Sequence, residues 1–198
     1  MHRVALHIVL YTACLLSFIS CDIFEPRTPE EPTAARGNFI PPTEPEIVID
    51  NFVNAIDERN SQHYIQCFID PLTSEKQFKF IPTQSALSQF GVFDGWTVQD
   101  ERNYFENLIS NIPENAAFNL NLFDGGFEGQ TSNEATYTAA YRLTAEHTND
   151  GYPHFIFEGT LRFEMITDQS NNWVIHTWAD LSDDETRSWS ELKGRFKL

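Results

Sequence analysis

Residues His154 to Leu181 restrict the fold more than any other stretch, because they read as the two arms of one long β-hairpin. In the first arm the odd positions are Phe155, Phe157, Gly159, Leu161, Phe163 and Met165. The even positions are His154, Glu158, Thr160, Arg162 and Glu164, with Ile156 the exception. Successive side chains of a strand point to opposite faces, so this pattern marks a strand with one face buried. Asp168-Gln169-Ser170-Asn171-Asn172 is a polar break that suits a hairpin loop. Pairing Thr167 with Trp173 sets Met165 against Ile175, Phe163 against Thr177 and Leu161 against Ala179. On the other face Glu164 meets His176, Arg162 meets Trp178 and Thr160 meets Asp180. A slip of one residue would bury the charged set, so the pattern sets the parity of the register.

That register leaves Ile156, Val174 and Trp178 on the polar face. A face open to water does not need a Trp, so Trp178 calls for a cover. The cover expected is the C-terminal tail, with Trp189 and Leu192 lying beside the stem of Arg162. The alternative cover is a second copy of the chain, as a homodimer.

The chain begins like a secretory signal, residues 1–20. His2 and Arg3 precede an apolar run from Val4 to Ile19, which ends in Ser20-Cys21. The run is short for a spanning helix. A small residue directly before Cys at the end of such a run resembles the bacterial lipoprotein signal, in which the Cys becomes the lipidated first residue. Phe18 stands where Leu is usual, and Tyr11-Thr12-Ala13-Cys14 is a second candidate that would cut the run short. An ordinary cleaved signal, with Cys21 an incidental thiol, is the plain alternative. Residues 21–45 follow as a Pro- and Glu-rich tether carrying Pro26, Pro29, Pro32, Pro41, Pro42 and Pro45. Such a segment buries too little surface to fold and extends about 3.1 Å per residue. Phe39-Ile40 is where it could pack on the domain. The expected address is the cell envelope, with the domain in the periplasm or at the cell surface. The outer membrane is favoured over the inner, and the lipid bilayer is then a partner through the N-terminal lipid.

Residues 46–198 suffice for one domain. The formal net charge is −16, and −17 once Arg3 leaves with the signal. That balance argues against nucleic acid, whose phosphates need Lys and Arg, and against anionic lipid headgroups as ligands of the domain. Cys14 and Cys21 go with the signal and the anchor. Cys67 is then the remaining cysteine and no internal disulfide forms.

The spacing predicts a helix over Glu46–Glu58 with Val48, Phe52, Ala55 and Ile56 on one stripe. A second, capped by Ser61, carries Tyr64, Cys67 and Phe68, with Cys67 a buried small hydrophobe. A short extended piece, Gln77 to Ile81, precedes a helix-like run from Ser85 to Phe90. Thr97 and Asp100 form a capping box that opens a third long helix with Val98, Phe105, Leu108, Ile109 and Ile112 inward. Strands follow: Phe118 to Leu122, broken at Asp124-Gly125-Gly126, then Ala135 to His147, then the hairpin. Ser188 to Gly194 reads as one capped turn of helix, with Ser188 and Glu191 as a capping box and Gly194 as its stop.

Helices first and long antiparallel strands after define an α+β layer, with N-terminal helices packed on a curved sheet. In that order, in Ile47–Arg59, in Tyr64–Phe68 and in the closing strand Trp173–Asp180, the chain resembles the cone-shaped superfamily of nuclear transport factor 2, the SnoaL-like cyclases and ketosteroid isomerase. Trp178-Ala179-Asp180 with Ser188-Trp189-Ser190-Glu191-Leu192-Lys193-Gly194 is also similar to bacterial lipoproteins that end this way, a likeness that supplies a family and no function.

The cone resemblance implies that any chemistry lies in the mouth or floor of the cone, where burial shifts a pKa. Tyr137, Tyr141 and His147 are therefore the candidate pocket lining. The plain alternative makes the two tyrosines core aromatics with hydroxyls near the rim. His176 and Asp180 lie four residues apart on one strand, about 13 Å, too far for a hydrogen bond. The histidines of the mature chain lack metal-ligand spacing, no Ser sits in a GxSxG elbow, and the glycines do not cradle a phosphate. Asp183-Asp184-Glu185 reads as a solvated turn rather than a calcium loop. No catalytic residue, metal or cofactor is expected. The leading expectation is a non-enzymatic envelope lipoprotein that binds or scaffolds an envelope protein. The alternatives are an isomerase or dehydratase acting in the cone, and a carrier of a small apolar ligand. A filled cone favours the first, paired polar groups in an open cavity the second, an apolar cavity the third.

Overall fold

The structure, a computed structural model, describes residues 38–197. The signal region, Cys21 and most of the tether lie outside the described residues. The elements in chain order are α1 (Pro45–Asp57), α2 (Ser61–Gln66), β1 (Lys79–Ile81), α3 (Gln84–Gln89), α4 (Val98–Ser110), β2 (Phe118–Glu128), β3 (Glu134–Ala145), β4 (Ile156–Thr167), β5 (Trp173–Leu181), a 3-10 turn (Glu185–Arg187) and α5 (Trp189–Phe196).

The strands form one sheet in the order β1-β5-β4-β3-β2. All neighbours are antiparallel except β1, which runs parallel to β5. Helices line the concave face of this curved sheet, an α+β cone of nuclear transport factor 2 type. The inward rows of β3 and β4 follow the sequence alternation: Ala135 pairs with Met165, Tyr137 with Phe163, Ala139 with Leu161, and Leu143 with Phe157.

β5 departs from the expected register. Thr167 does face Trp173 and Met165 does face Ile175, but Glu164 then faces Thr177, so His176 is the extra residue of a β-bulge. Beyond the bulge Phe163 faces Trp178, Leu161 faces Asp180 and Arg162 faces Ala179. The parity is therefore inverted, because two residues on β5 oppose one on β4 and every later side chain changes face. Trp178 and Asp180 point into the core, at 0% and 1% exposure, and Arg162 stays on the outer face beside Glu164.

Other corrections are local. The strand expected to break at Asp124 continues to Glu128 through an irregularity between Phe123 and Gly126. The side chain of Asn60, not Ser61, caps α2 by accepting from the His63 amide. β3 ends at Ala145, short of His147, and β4 starts at Ile156, leaving Phe155 exposed. The tail is a full helix of eight residues, with Gly194 inside it. The Thr97–Asp100 capping box is present. The end of the tether does pack on the domain: Ile40 exchanges two hydrogen bonds with the Asn51 side chain, and the Trp173 amide donates to the Pro42 carbonyl.

Candidate functional site: a polar cluster inside the cone

The interior holds two linked groups of polar side chains. Glu101 lies in the first turn of α4, where the positive helix end favours a carboxylate. It shares the inward stripe with Phe105 and Leu108, and it is 0% exposed. Its Oε1 accepts from the Tyr64 hydroxyl at 2.6 Å and its Oε2 from the Trp96 indole at 2.8 Å. The Lys193 ammonium of α5 donates to both oxygens, at 2.7 and 2.6 Å. That ammonium also lies 3.5 Å from the ring centroid of Trp178 and 3.8 Å from that of Phe80. Burial draws the Lys193 pKa down to about 8, against the opposing pull of Glu101.

Asp180 anchors the second group. Its Oδ1 accepts from the Tyr141 hydroxyl at 2.8 Å, and its Oδ2 accepts from the Ser190 amide at 2.6 Å and the Ser190 hydroxyl at 2.5 Å. The Trp189 amide donates to the Tyr141 oxygen at 2.8 Å, and the Thr83 amide donates to the Ser190 oxygen at 3.0 Å. Burial raises the Asp180 pKa, while hydrogen bonds from Ser190 and Tyr141 and the charge of Lys193 oppose the rise. The Trp189 indole donates to the Tyr104 hydroxyl at 2.9 Å, and the Tyr104 ring lies between the groups, its centroid 5.5 Å from the Lys193 nitrogen.

α5 is the element that closes this interior. Ser188 caps it by accepting from the Glu191 amide. Trp189, Leu192, Lys193 and Phe196 form its inward stripe, all nearly unexposed. The tail therefore covers Trp178 with Trp189, as expected, but from within the cone and not from the outer face beside Arg162.

The three residues expected to line a pocket do not converge. Tyr141 is the one that joins the cluster. Tyr137 packs on Phe127 in a tilted pair, centroids 4.9 Å apart, over Gly125, toward the far end of β3. His147 lies past the other end of β3, against Tyr152, Phe155 and Phe196. Among the described residues, the main surface clefts are lined neither by these three residues nor by Glu101 or Lys193. Asp180 does border a cleft of ≈ 500 Å³, together with Thr83, Gly159 and Leu181. A more apolar cleft of ≈ 400 Å³ passes along Phe78, Phe80, Phe93 and Trp96. Among the described residues no group of His, Cys, Asp and Glu is placed to hold a metal, and no helix is long and apolar enough to cross a membrane. Cys67 is buried as expected, and burial pushes its thiol pKa up.

Sequence reasoning missed Glu101, Lys193, Tyr104 and Ser190. A signal was present for two of them. Glu101 is spaced four and seven residues from Phe105 and Leu108, and Lys193 follows Trp189 by four and precedes Phe196 by three. Each is a charge on an apolar helical stripe, and the charges are opposite.

No protein-family model matches the sequence, and no curated protein matches it. Solved structures resemble the fold. A proposed scytalone dehydratase from Novosphingobium aromaticivorans aligns with TM-score 0.51 and 10% identity over 68% of this chain and 78% of that one. A protein from Kribbella flavida aligns with TM-score 0.50 and 9% identity over 74% of this chain and 91% of its own. A nuclear transport factor 2-like superfamily protein from Salmonella enterica serovar Typhimurium aligns with TM-score 0.47 and 16% identity, over 67% and 83%. At these identities the likeness is one of fold.

Proposed function

We propose that this protein is a lipid-anchored component of a bacterial cell envelope whose cone domain is a non-enzymatic binding or scaffolding module. The observation that carries the reading is the filled cone. Glu101 and Asp180, the carboxylates of the interior, are saturated by Lys193, Tyr64, Trp96, Tyr141 and Ser190 of the same chain. A catalytic acid or base needs a free edge within hydrogen-bond reach of a substrate atom. Glu101 offers none, and Asp180, although it borders a cleft, is 1% exposed with both oxygens engaged by Tyr141 and Ser190. The anchor rests on Cys21 and the Pro-rich segment after it.

Two measurements test this. Cys21→Ser is expected to move the protein from the membrane fraction to the soluble fraction and to abolish incorporation of labelled fatty acid. A wild type that takes no label removes the anchor. Purified domain is expected to show no saturable thermal shift with enolisable ketones or with scytalone. Turnover of any of them would replace the binding module with an enzyme working in the cone.

A further inference from the structure

We propose that the interior of the cone is a binding site for a primary alkylammonium ion, and that its resident ligand is the chain's own Lys193. The division of labour between segments carries this. Among the described residues, every group around the Lys193 ammonium precedes residue 181: Glu101 and Tyr104 on α4, Trp96 just before it, Phe80 on β1 and Trp178 on β5. α5 supplies only the cation and its stem. The receptor half and the ligand half of the site are thus separate stretches, joined through the 3-10 turn at Glu185–Arg187.

The chemistry of the receptor half is specific. Two ring faces lie within 4 Å of the nitrogen, on Trp178 and Phe80, and two more lie farther off, on Trp96 at 5.6 Å and Tyr104 at 5.5 Å. A cation is attracted to such faces when it lies within about 6 Å of the centroid, more strongly when water is excluded. The Glu101 carboxylate is held in place by Tyr64 and Trp96 as well as by the lysine, so it is oriented by residues that remain when the lysine is removed. The Phe80 and Trp178 rings, 3.8 and 3.5 Å from the nitrogen, leave room for a compact head narrower than a planar guanidinium. An apolar side chain would leave the carboxylate buried without its counterion, which is costly. The ligand class is therefore a compact ammonium on a slender alkyl stem.

The terminal motif takes on a meaning in this light. Ser188 caps the helix, Trp189 binds Tyr104 and Tyr141, Ser190 binds Asp180, and Leu192 fills the core. Lys193 enters the cage, and Gly194 passes Phe90 where a Cβ would collide with the ring. The motif is a docking sequence for the cone, delivered by the chain to itself.

The experiment is chemical rescue. Lys193→Ala removes the stem beyond Cβ and leaves a gap the length of n-propylammonium. The full mature chain carrying Lys193→Ala is heated with increasing n-propylamine at pH 7, with 1-propanol as the uncharged isostere. The expected result is a saturable rise in the thermal midpoint of about 3–6 °C at ten times the dissociation constant, given by the amine and not by the alcohol. Adding Glu101→Gln to Lys193→Ala is expected to abolish the rise. If Lys193→Ala is unfolded in buffer, circular dichroism is expected to show the amine, and not the alcohol, restoring the folded spectrum. Equal effects of amine and alcohol would reduce the site to a void that any small molecule fills. No effect of either, with folded Lys193→Met as the control for an intact helix, would overturn the proposal. Neither outcome bears on Cys21 or on catalysis, so failure here is distinct from failure of the proposed function.

Discussion

Trp178 and Trp189 meet edge to face, ring centroids 4.7 Å apart at 86°, where the last strand and the last helix close the cone. Phe52 of α1 touches both, at 5.6 and 5.9 Å. The three rings join the first helix, the last strand and the tail. Removing residues 186–198 opens the cone on one side, strands Asp180 and Glu101, and exposes Trp178. The deletion is expected to leave a chain without a cooperative thermal transition. Trp189→Ala is expected to cost about 3–5 kcal/mol, in the range for a buried aromatic. Urea denaturation followed by Trp fluorescence measures it, and a loss below about 1 kcal/mol, that of a surface change, would sink this account of the tail.

The inner rows of β3 and β4 were legible from period two alone, and the helices from their apolar stripes. The second half of β5 was not. A bulge adds one residue to one strand, and the alternation on either side of it looks the same as an unbroken strand shifted by one. Trp178 on the supposed wet face was the visible trace of that insertion. A Trp at such a position marks a change of face rather than a need for an outer cover. Glu101 and Lys193 escaped because apolar periodicity assigns every charge to solvent. Only their pairing, 92 residues apart, removes the conflict, and separation of that size is invisible to local pattern.

The Glu101–Lys193 pair makes the next prediction. Glu101→Gln leaves a buried ammonium with no counterion and is expected to cost about 3–5 kcal/mol. Lys193→Met leaves a carboxylate that still has the Tyr64 and Trp96 donors, so its cost is expected to be smaller. The double variant removes both charges, and Gln can keep its oxygen toward the Trp96 indole while its amide donates to the Tyr64 hydroxyl, which turns to accept. It is expected to lie within about 1.5 kcal/mol of wild type, because a volume-conserving apolar exchange follows a cancelled ion pair. Additive losses in a double-mutant cycle would mean that the pair is not coupled.

Two glycines are predicted by contact and not by backbone angle. A Cβ at Gly159 would lie 2.6 Å from the Leu181 carbonyl and 2.8 Å from the Tyr141 hydroxyl, so Gly159 is what lets Tyr141 reach Asp180. At Gly194 two effects compete. Ala gains about 1 kcal/mol of helix propensity, but overpacking against Phe90 costs about 1–3 kcal/mol. Gly194→Ala is expected to destabilise the wild type and to stabilise a Phe90→Ala background. The same sign in both backgrounds would refute the clash.

His147 sets an acid limit. Its ring is buried among Tyr152, Phe155 and Phe196, its Nδ1 accepts from the Asn149 amide, and its Nε2 has no partner among the described residues. Burial holds its pKa below the ordinary 6.5. The unfolded chain therefore takes up the proton first. The stability from the neutral ring is complete above 6.5 and is lost as pH falls from there through the lower folded value. His176 acts with the same sign, while the raised Asp57 and Asp180 oppose it. The difference between wild type and His147→Phe isolates the one group. Thermal midpoints measured from pH 7 to 5 are expected to fall more steeply for wild type, and parallel curves would exclude a buried neutral His147.

With Trp178 turned inward, the outer face of the sheet loses the residue that most called for a partner chain. What remains includes a row across the strands, Phe123 opposite Ala140, Ala140 opposite Thr160, and Thr160 opposite Leu181, with Ile156 and Ile81 exposed elsewhere on the same face. Phe123 and Leu181 are half exposed, at 49% and 53%, but three strand spacings place them about 14 Å apart with an Ala and a Thr between. Apolar residues scattered in that way are ordinary on a monomer. The charges on this face also pair within the chain, Arg142 with Glu158 at 2.7 Å and Arg162 with Glu164 at 3.9 Å. Exposed pairs of this kind contribute at most about 1 kcal/mol each and leave nothing for a second copy to neutralise. Light scattering of the domain is therefore expected to give the monomer mass. A dimer that Phe123→Glu or Leu181→Glu converts to folded monomer would instead make the outer face an assembly surface.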